Sequence, residues 1–124
     1  MKQIINLTIH PASKTQMEAG VVDLPDELRE QLIRLITFDE LPSENHMVAI
    51  AHDVGCMAAL VAMITGAKSV MIGGAPFFDH HLRYALGIYG ITPVYAFSKR
   101  VSEVVVGEDG SVTKTTVFKH IGFV

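Results

Sequence analysis

Three short segments of the chain hold the residue types that bind phosphate or move protons. The first contains Asn6, Thr8 and His10, spaced two apart, so that a strand presents all three on one face. Histidine exchanges protons near neutrality and suits a general base or acid, and an amide and a hydroxyl can orient ribose or phosphate. Asn6 and Thr8 are polar within an apolar run, so they need partners, supplied either by a ligand pocket or by the backbone of a neighbouring loop. The second segment is Gly73-Gly74-Ala75-Pro76, placed after an apolar strand pattern and before a helical one. Glycine lets backbone N–H groups approach an anion, and a helix start favours negative charge. This turn is neither a Walker A loop nor the dinucleotide fingerprint, and a tight turn without a ligand has the same appearance. The third segment is Phe97-Ser98-Lys99-Arg100, where a guanidinium can grip phosphate through two hydrogen bonds and an ammonium acts as a point charge. A solvated strand end is the competing reading. Lys119-His120 lies near the end of the final strand, facing either this site or solvent.

Other residues carry weaker signals. His52 and Cys56 are four apart on a helical pattern with Asp53 nearby, and Asp79-His80-His81 forms a second cluster. Neither has the four-ligand spacing of a zinc site, so no metal and no cofactor is expected. Cys56 reads as a small core residue, and Phe77, Phe78, Tyr84 and Tyr89 read as the packing face of the last helix, with Phe77 also able to stack on a base.

The elements that must position these groups follow from periodicity and punctuation. Residues 4–9 form an apolar, β-branched first strand, ended by Pro11. A turn of helix over 15–19 and a brief strand at Val21 and Val22 come next. Asp23 is placed to cap a helix beginning near Pro25, with Leu28, Leu32, Leu35 and Ile36 on one face. Ser43 caps a long helix that is apolar on most sides and stops at Gly66. Residues 69–72 and 92–97 read as central parallel strands, separated by a helix over 77–89 that Gly90 ends. Two valine-rich runs around Asp109-Gly110 then make a hairpin. Alternating strands and helices predict a Rossmann-like, three-layer α/β domain spanning residues 1–124, its mostly parallel sheet ending in an antiparallel hairpin edge. In such sheets ligands bind outside the carboxyl ends of the strands, which is where the three segments meet.

The totals narrow the function classes. The 124 residues are enough for one domain with a real core, and nearly half are apolar. Ten basic against thirteen acidic residues give a formal charge of −3, which argues against duplex DNA as a partner. The single cysteine permits no internal disulfide and fits a reducing, cytoplasmic setting. The N-terminal residues do not form a signal peptide, and the apolar stretch 47–64 is interrupted by His52, Asp53 and Gly55, so no membrane span is expected.

The C-terminal half resembles a known family. Met71-Ile72-Gly73-Gly74-Ala75-Pro76, Pro93-Val94-Tyr95-Ala96-Phe97-Ser98-Lys99-Arg100, Glu103, Asp109-Gly110 and Val117-Phe118-Lys119-His120 are similar to the small stand-alone proteins of the CRISPR-associated Rossmann-fold (CARF) superfamily, including the ring nucleases of type III CRISPR antiviral defence. The likeness covers roughly the last 55 residues; Thr8, His10 and Asp23-Leu24-Pro25 match more loosely, and residues 43–64 carry no motif. The resemblance implies a homodimer that binds cyclic oligoadenylate across its two-fold axis and cleaves it without metal, a ribose 2′-OH attacking the neighbouring phosphate. Under that reading Gly73, Gly74 and Ala75 hold phosphate, Ser98 adds a hydroxyl, and Lys99 and Arg100 stabilise the phosphorane. Asn6 and Thr8 then orient ribose or phosphate, and His10 is general base or acid with His120 in reserve. Two other readings keep the same pocket: a protein that binds the ring without cutting it, and an α/β enzyme acting on a monomeric phosphate ligand.

Overall fold

The structure is a computed structural model, and it describes residues 3–124. In chain order the elements are β1 (Ile4–Asn6), α1 (Lys14–Glu18), β2 (Val21–Asp23), α2 (Asp26–Ile36), α3 (Glu44–Thr65), β3 (Ser69–Met71), α4 (Pro76–Ile88), β4 (Thr92–Val94), β5 (Ala96–Val106) and β6 (Val112–Phe123). Four strands make a parallel sheet in the order β2-β1-β3-β4, with Asn6 level with Asp23 on one side and Met71 on the other. The chain leaves β1 towards β2 on one side and returns to β3 on the other. That reversal opens a crevice at the carboxyl ends of β1 and β3.

Local chemistry explains most element boundaries. Ser13 and Gln16 form a reciprocal capping box at α1, and the Ser43 hydroxyl accepts the His46 N–H at α3. Gly66 closes α3 with φ 76°, a left-handed backbone that glycine adopts without cost, and Pro76 opens α4. The sheet face carrying Ile5, Leu7, Val70 and Ile72 shares one core with Leu32 of α2, Val54 and Ala58 of α3, and Phe78, Leu82 and Leu86 of α4. Helix α3 is long and apolar enough to cross a membrane by composition alone, yet Ile50, Ala51, Val54, Ala58 and Val61 lie in this core. It reads as the core helix of a small globular fold.

Three expectations need correction. Strand β1 stops at Asn6 instead of continuing to residue 9, because the Asn6 side chain accepts the Thr8 N–H and turns the chain out of the ladder. Asp23 does not cap α2, whose first residue follows Pro25 with no side-chain cap; its carboxylate is engaged with Asn6 and Ala12. The hairpin is not an edge of the parallel sheet. After Val94 the chain bends at Tyr95, which exchanges backbone hydrogen bonds of 2.7 and 2.9 Å with Val124, and β5 and β6 pair as a separate two-stranded sheet. The strand predicted over 92–97 is therefore split, and Phe97-Ser98-Lys99-Arg100 belongs to the hairpin arm. The tip of that arm closes through Gly107 N–H on Ser111 O at 2.7 Å, with Gly110 at φ 82°.

Candidate functional site at the carboxyl edge of the sheet

Asn6 organises the loop that follows β1. It is 3% exposed, and its amide is used up within the chain. Its Nδ2 donates to Asp23 Oδ1 and to the His10 carbonyl, both at 2.8 Å. Its Oδ1 accepts the Thr8 N–H at 2.9 Å and stands 2.7 Å from the Thr8 hydroxyl. The same hydroxyl lies 3.1 Å from the His10 carbonyl, so its single proton chooses between two acceptors. Arg29 Nη2 donates to the Ile9 carbonyl at 2.9 Å and brings a cation beside this loop. Asn6 thus shapes the loop and has no donor left for a ligand, whereas His10 stays exposed.

A cavity of about 280 Å³ lies over the crevice, lined by Thr8, His10 and Gln16 from one side and by Ile72, Gly73 and Tyr95 from the other. A smaller hollow of about 110 Å³ continues past Gly73 and Gly74 to Phe78 and Asp79. Three larger hollows lie elsewhere. One of about 640 Å³ is lined by residues 37–46, the loop before α3 and its first turn, and another of about 640 Å³ sits at the amino ends of β1 and β3 against the carbonyl end of α3. The third, of about 380 Å³, is lined by Met63, Lys68, Tyr89 and Ile91. None meets strand carboxyl ends, so the chemistry is sought in the crevice.

Gly73 and Gly74 are not demanded by the fold. Neither adopts the left-handed backbone region, and a Cβ built on either meets nothing within 4 Å. The chain's own packing therefore leaves this backbone open on its outer side. The start of α4 beyond it already holds Asp79 in its first turn, where a carboxylate interacts favourably with the helix dipole. Tyr95 Oη donates to Asp79 Oδ2 at 3.3 Å, and the Arg83 guanidinium stands 5.6 Å from the Tyr95 ring centre. Gln16, Arg83 and Arg29 are residues around the site that sequence reasoning passed over, while Asp79 was weighed only in a metal cluster and Tyr95 only within the resemblance motif. Asp79 and Arg83 are four apart, a spacing that puts both side chains on one side of α4.

The other predicted site residues sit on the arm. Ser98 is level with His120, Lys99 with Lys119, and Arg100 with Phe118, after a bulge between Phe97 and Ser98. Successive strand residues point to opposite faces, so Lys99 and Arg100 cannot grip one phosphate together. Arg100 stands 5.5 Å from the Phe118 ring centre on its face. His120 lies 5.0 Å from the Phe123 ring, with both ring nitrogens enclosed and without a hydrogen-bond partner. The structure thus brings together Asn6, Thr8, His10 and the Gly73–Gly74–Ala75 turn, and places Ser98, Lys99, Arg100 and His120 along the arm that leaves from Ala96.

Helices α3 and α4 hold two more surprises. Cys56 is exposed and not a core residue, with its Sγ 2.7 Å from Tyr89 Oη and 3.6 Å from His52 Nε2. The bond to Cys56 holds the Tyr89 phenol above its ordinary pKa. Tyr84 is 75% exposed and Phe77 packs edge-on against Phe38, so of the aromatic residues expected to pack α4 only Phe78 is in the core. His80 and His81 stack with ring centres 3.9 Å apart. Among the described residues no three histidine, cysteine or carboxylate side chains gather as metal ligands would.

No curated protein and no solved structure matches this chain. A family model does match it, over residues 2–124, and the chain belongs to the uncharacterized protein MJ1673 family.

Proposed function

We propose that the crevice at the carboxyl ends of β1 and β3 binds a phosphate-bearing nucleotide, and that its ligand is a cyclic oligoadenylate which it cleaves. The observation that carries the reading is the pair Gly73 and Gly74, glycines that neither backbone strain nor crowding requires, beside a cavity walled by His10, Thr8 and Gln16. Open backbone N–H groups at that place suit a phosphate oxygen. A cavity of about 280 Å³ has room for one nucleotide-sized moiety, so a ring extends over the surface and engages two copies about a two-fold axis. In the reaction the substrate's 2′-oxygen attacks the adjacent phosphorus while the bond to the leaving 5′-oxygen breaks. The products are a 2′,3′-cyclic phosphate and a 5′-hydroxyl. His10 takes the 2′-OH proton or returns one to the leaving oxygen, and the rest of the site holds the reacting atoms in line. The setting is the cytoplasm, where a lone exposed thiol such as Cys56 stays reduced.

One observation favours binding without cleavage: the residues lining the cavity include no lysine or arginine, and Arg83 and Arg29 are held against the Tyr95 ring and the Ile9 carbonyl. Incubation with cyclic tetra-adenylate and cyclic hexa-adenylate in EDTA, with products resolved by chromatography and mass detection, separates the outcomes. Linear fragments ending in 2′,3′-cyclic phosphate support cleavage and set the ring size. An intact ring that co-elutes with the protein supports a sink or sensor, and neither cleavage nor binding rejects the ligand.

A further inference from the structure

The hydrogen bonds around Thr8 fix what its hydroxyl can offer a ligand. One end of the Asn6 amide faces two oxygens, Asp23 Oδ1 and the His10 carbonyl, each at 2.8 Å. A carboxylate and a carbonyl only accept, so that end is the NH2 group and the other end is the oxygen. The Thr8 N–H, which donates to Asn6 Oδ1 at 2.9 Å, requires the same assignment. The Thr8 hydroxyl then meets Asn6 Oδ1 at 2.7 Å and the His10 carbonyl at 3.1 Å, and both of these only accept. Its one proton goes to one or the other, and lone pairs are what remain for a ligand. Asp23 holds the arrangement from β2, because its Oδ1 also accepts the Ala12 N–H at 3.0 Å. Thr8 is half-buried and lines the same cavity as His10 and Gly73. Toward that cavity it is an acceptor without a proton to give.

We propose that Thr8 selects the sugar: it accepts a hydrogen bond from a ribose 2′-OH, so the crevice takes ribonucleotides in preference to their 2′-deoxy counterparts. The inference rests on the nucleotide reading of the crevice, and it holds whether the ring is cut or only held. Phosphodiester oxygens are acceptors, so the lone pairs of Thr8 repel them, whereas the backbone N–H groups at Gly73 and Gly74 donate. In a ring joined 3′ to 5′ the donors are the 2′-hydroxyls and the adenine amino groups. The 2′-hydroxyl is on the sugar carbon next to the one that carries phosphate, and the amino group is on the far side of the base. Thr8 and Gly73 line one cavity of about 280 Å³, so a phosphate at Gly73 brings the 2′-hydroxyl, not the amino group, to Thr8. Thr8 orients this hydroxyl. An alcohol is too weak a base to remove its proton, and that step stays with His10.

Titration of the full chain with cyclic tetra- and hexa-adenylates bearing 2′-OH, 2′-fluoro or 2′-H on every sugar tests it. The fluoro ring keeps a ribose-like pucker and lacks only the donor. Half-saturation is read from binding or, where a ring is cut, from initial rates. The wild type is expected to half-saturate with the hydroxyl ring at a concentration about fivefold or more below either analogue, the order of one lost hydrogen bond. Thr8→Val keeps the shape and removes the hydroxyl. With its fold checked by circular dichroism, it is expected to bind the hydroxyl and fluoro rings alike, and Thr8→Ser is expected to keep the preference. A wild-type chain that binds the fluoro ring as tightly as the hydroxyl ring overturns the inference and needs no variant to do so. A Thr8→Val protein that keeps the preference also overturns it, and in both cases nucleotide binding itself stands. A chain that binds none of the rings rejects the nucleotide reading of the crevice, and the inference falls with it.

Discussion

Lys99 and Lys119 face each other directly across the β5–β6 ladder, on the side of the arm opposite Arg100 and Phe118. Like charges at opposed positions in an antiparallel pair are unfavourable, and opposite charges there contribute about 0.2–1 kcal/mol. Lys119→Glu is therefore expected to raise stability within that range. Thermal unfolding at low ionic strength measures it, and added salt should shrink the gain because both side chains are exposed. A destabilised Lys119→Glu protein would mean that the two ammonium groups share an anion in solution.

Asn6 ties β1, β2 and the loop to His10 through four contacts within hydrogen-bond distance of one amide. Asn6→Ala leaves Asp23 and the loop backbone without these partners in a part-buried place. The expected cost is about 1–3 kcal/mol, read from urea unfolding. Asn6→Asp should cost more at neutral pH than at acid pH, because it sets a second carboxylate against Asp23. Equal losses at both pH values would show that the Asn6–Asp23 contact is not formed in solution.

What could be read in advance was what depends on near neighbours in sequence. Ser43 and Gly66 bound α3 as expected, since each cap is satisfied within its own turn. Asp109-Gly110 marks the hairpin tip for the same reason. The positions of Lys99 and Arg100 were not legible. Whether residues 92–97 run on as one central strand or bend at Tyr95 is decided by the bonds of Tyr95 to Val124, at the far end of the chain. Cys56 was likewise misplaced, because an apolar helix gives no sign of which side its neighbours leave open; here that side carries His52, Cys56 and Tyr89.

Gly73→Ala and Gly74→Ala separate fold from ligand. With ordinary backbone angles and no atom within 4 Å of the added Cβ, each variant should be at least as stable as the parent. The gain is expected near 0.4–1 kcal/mol, from lower entropy of the unfolded chain. Binding of cyclic oligoadenylate, measured by calorimetry, should nevertheless weaken, because the methyl stands where the phosphate approaches. Unchanged binding in both variants would remove the glycine turn from the proposed site.

The Cys56–Tyr89 contact makes a prediction in pH. The hydrogen bond that the Tyr89 phenol makes to the Cys56 sulfur, with smaller contributions from desolvation and from the negative charge of a Cys56 thiolate, raises the Tyr89 pKa above its ordinary value. A raised folded-state pKa means that the contact stabilises the fold while pH stays below the unfolded-state value. The contribution is lost as pH climbs through the raised one. In a variant that keeps Tyr89 as its sole phenol, by Tyr84→Phe and Tyr95→Phe, ultraviolet titration should show ionisation later than in the denatured chain. Adding Cys56→Ala should move that ionisation back down and flatten the alkaline loss of stability. If Cys56→Ala leaves the titration where it was, burial against α3 and not the thiol sets the shift, and the 2.7 Å contact between the two groups is not kept in solution.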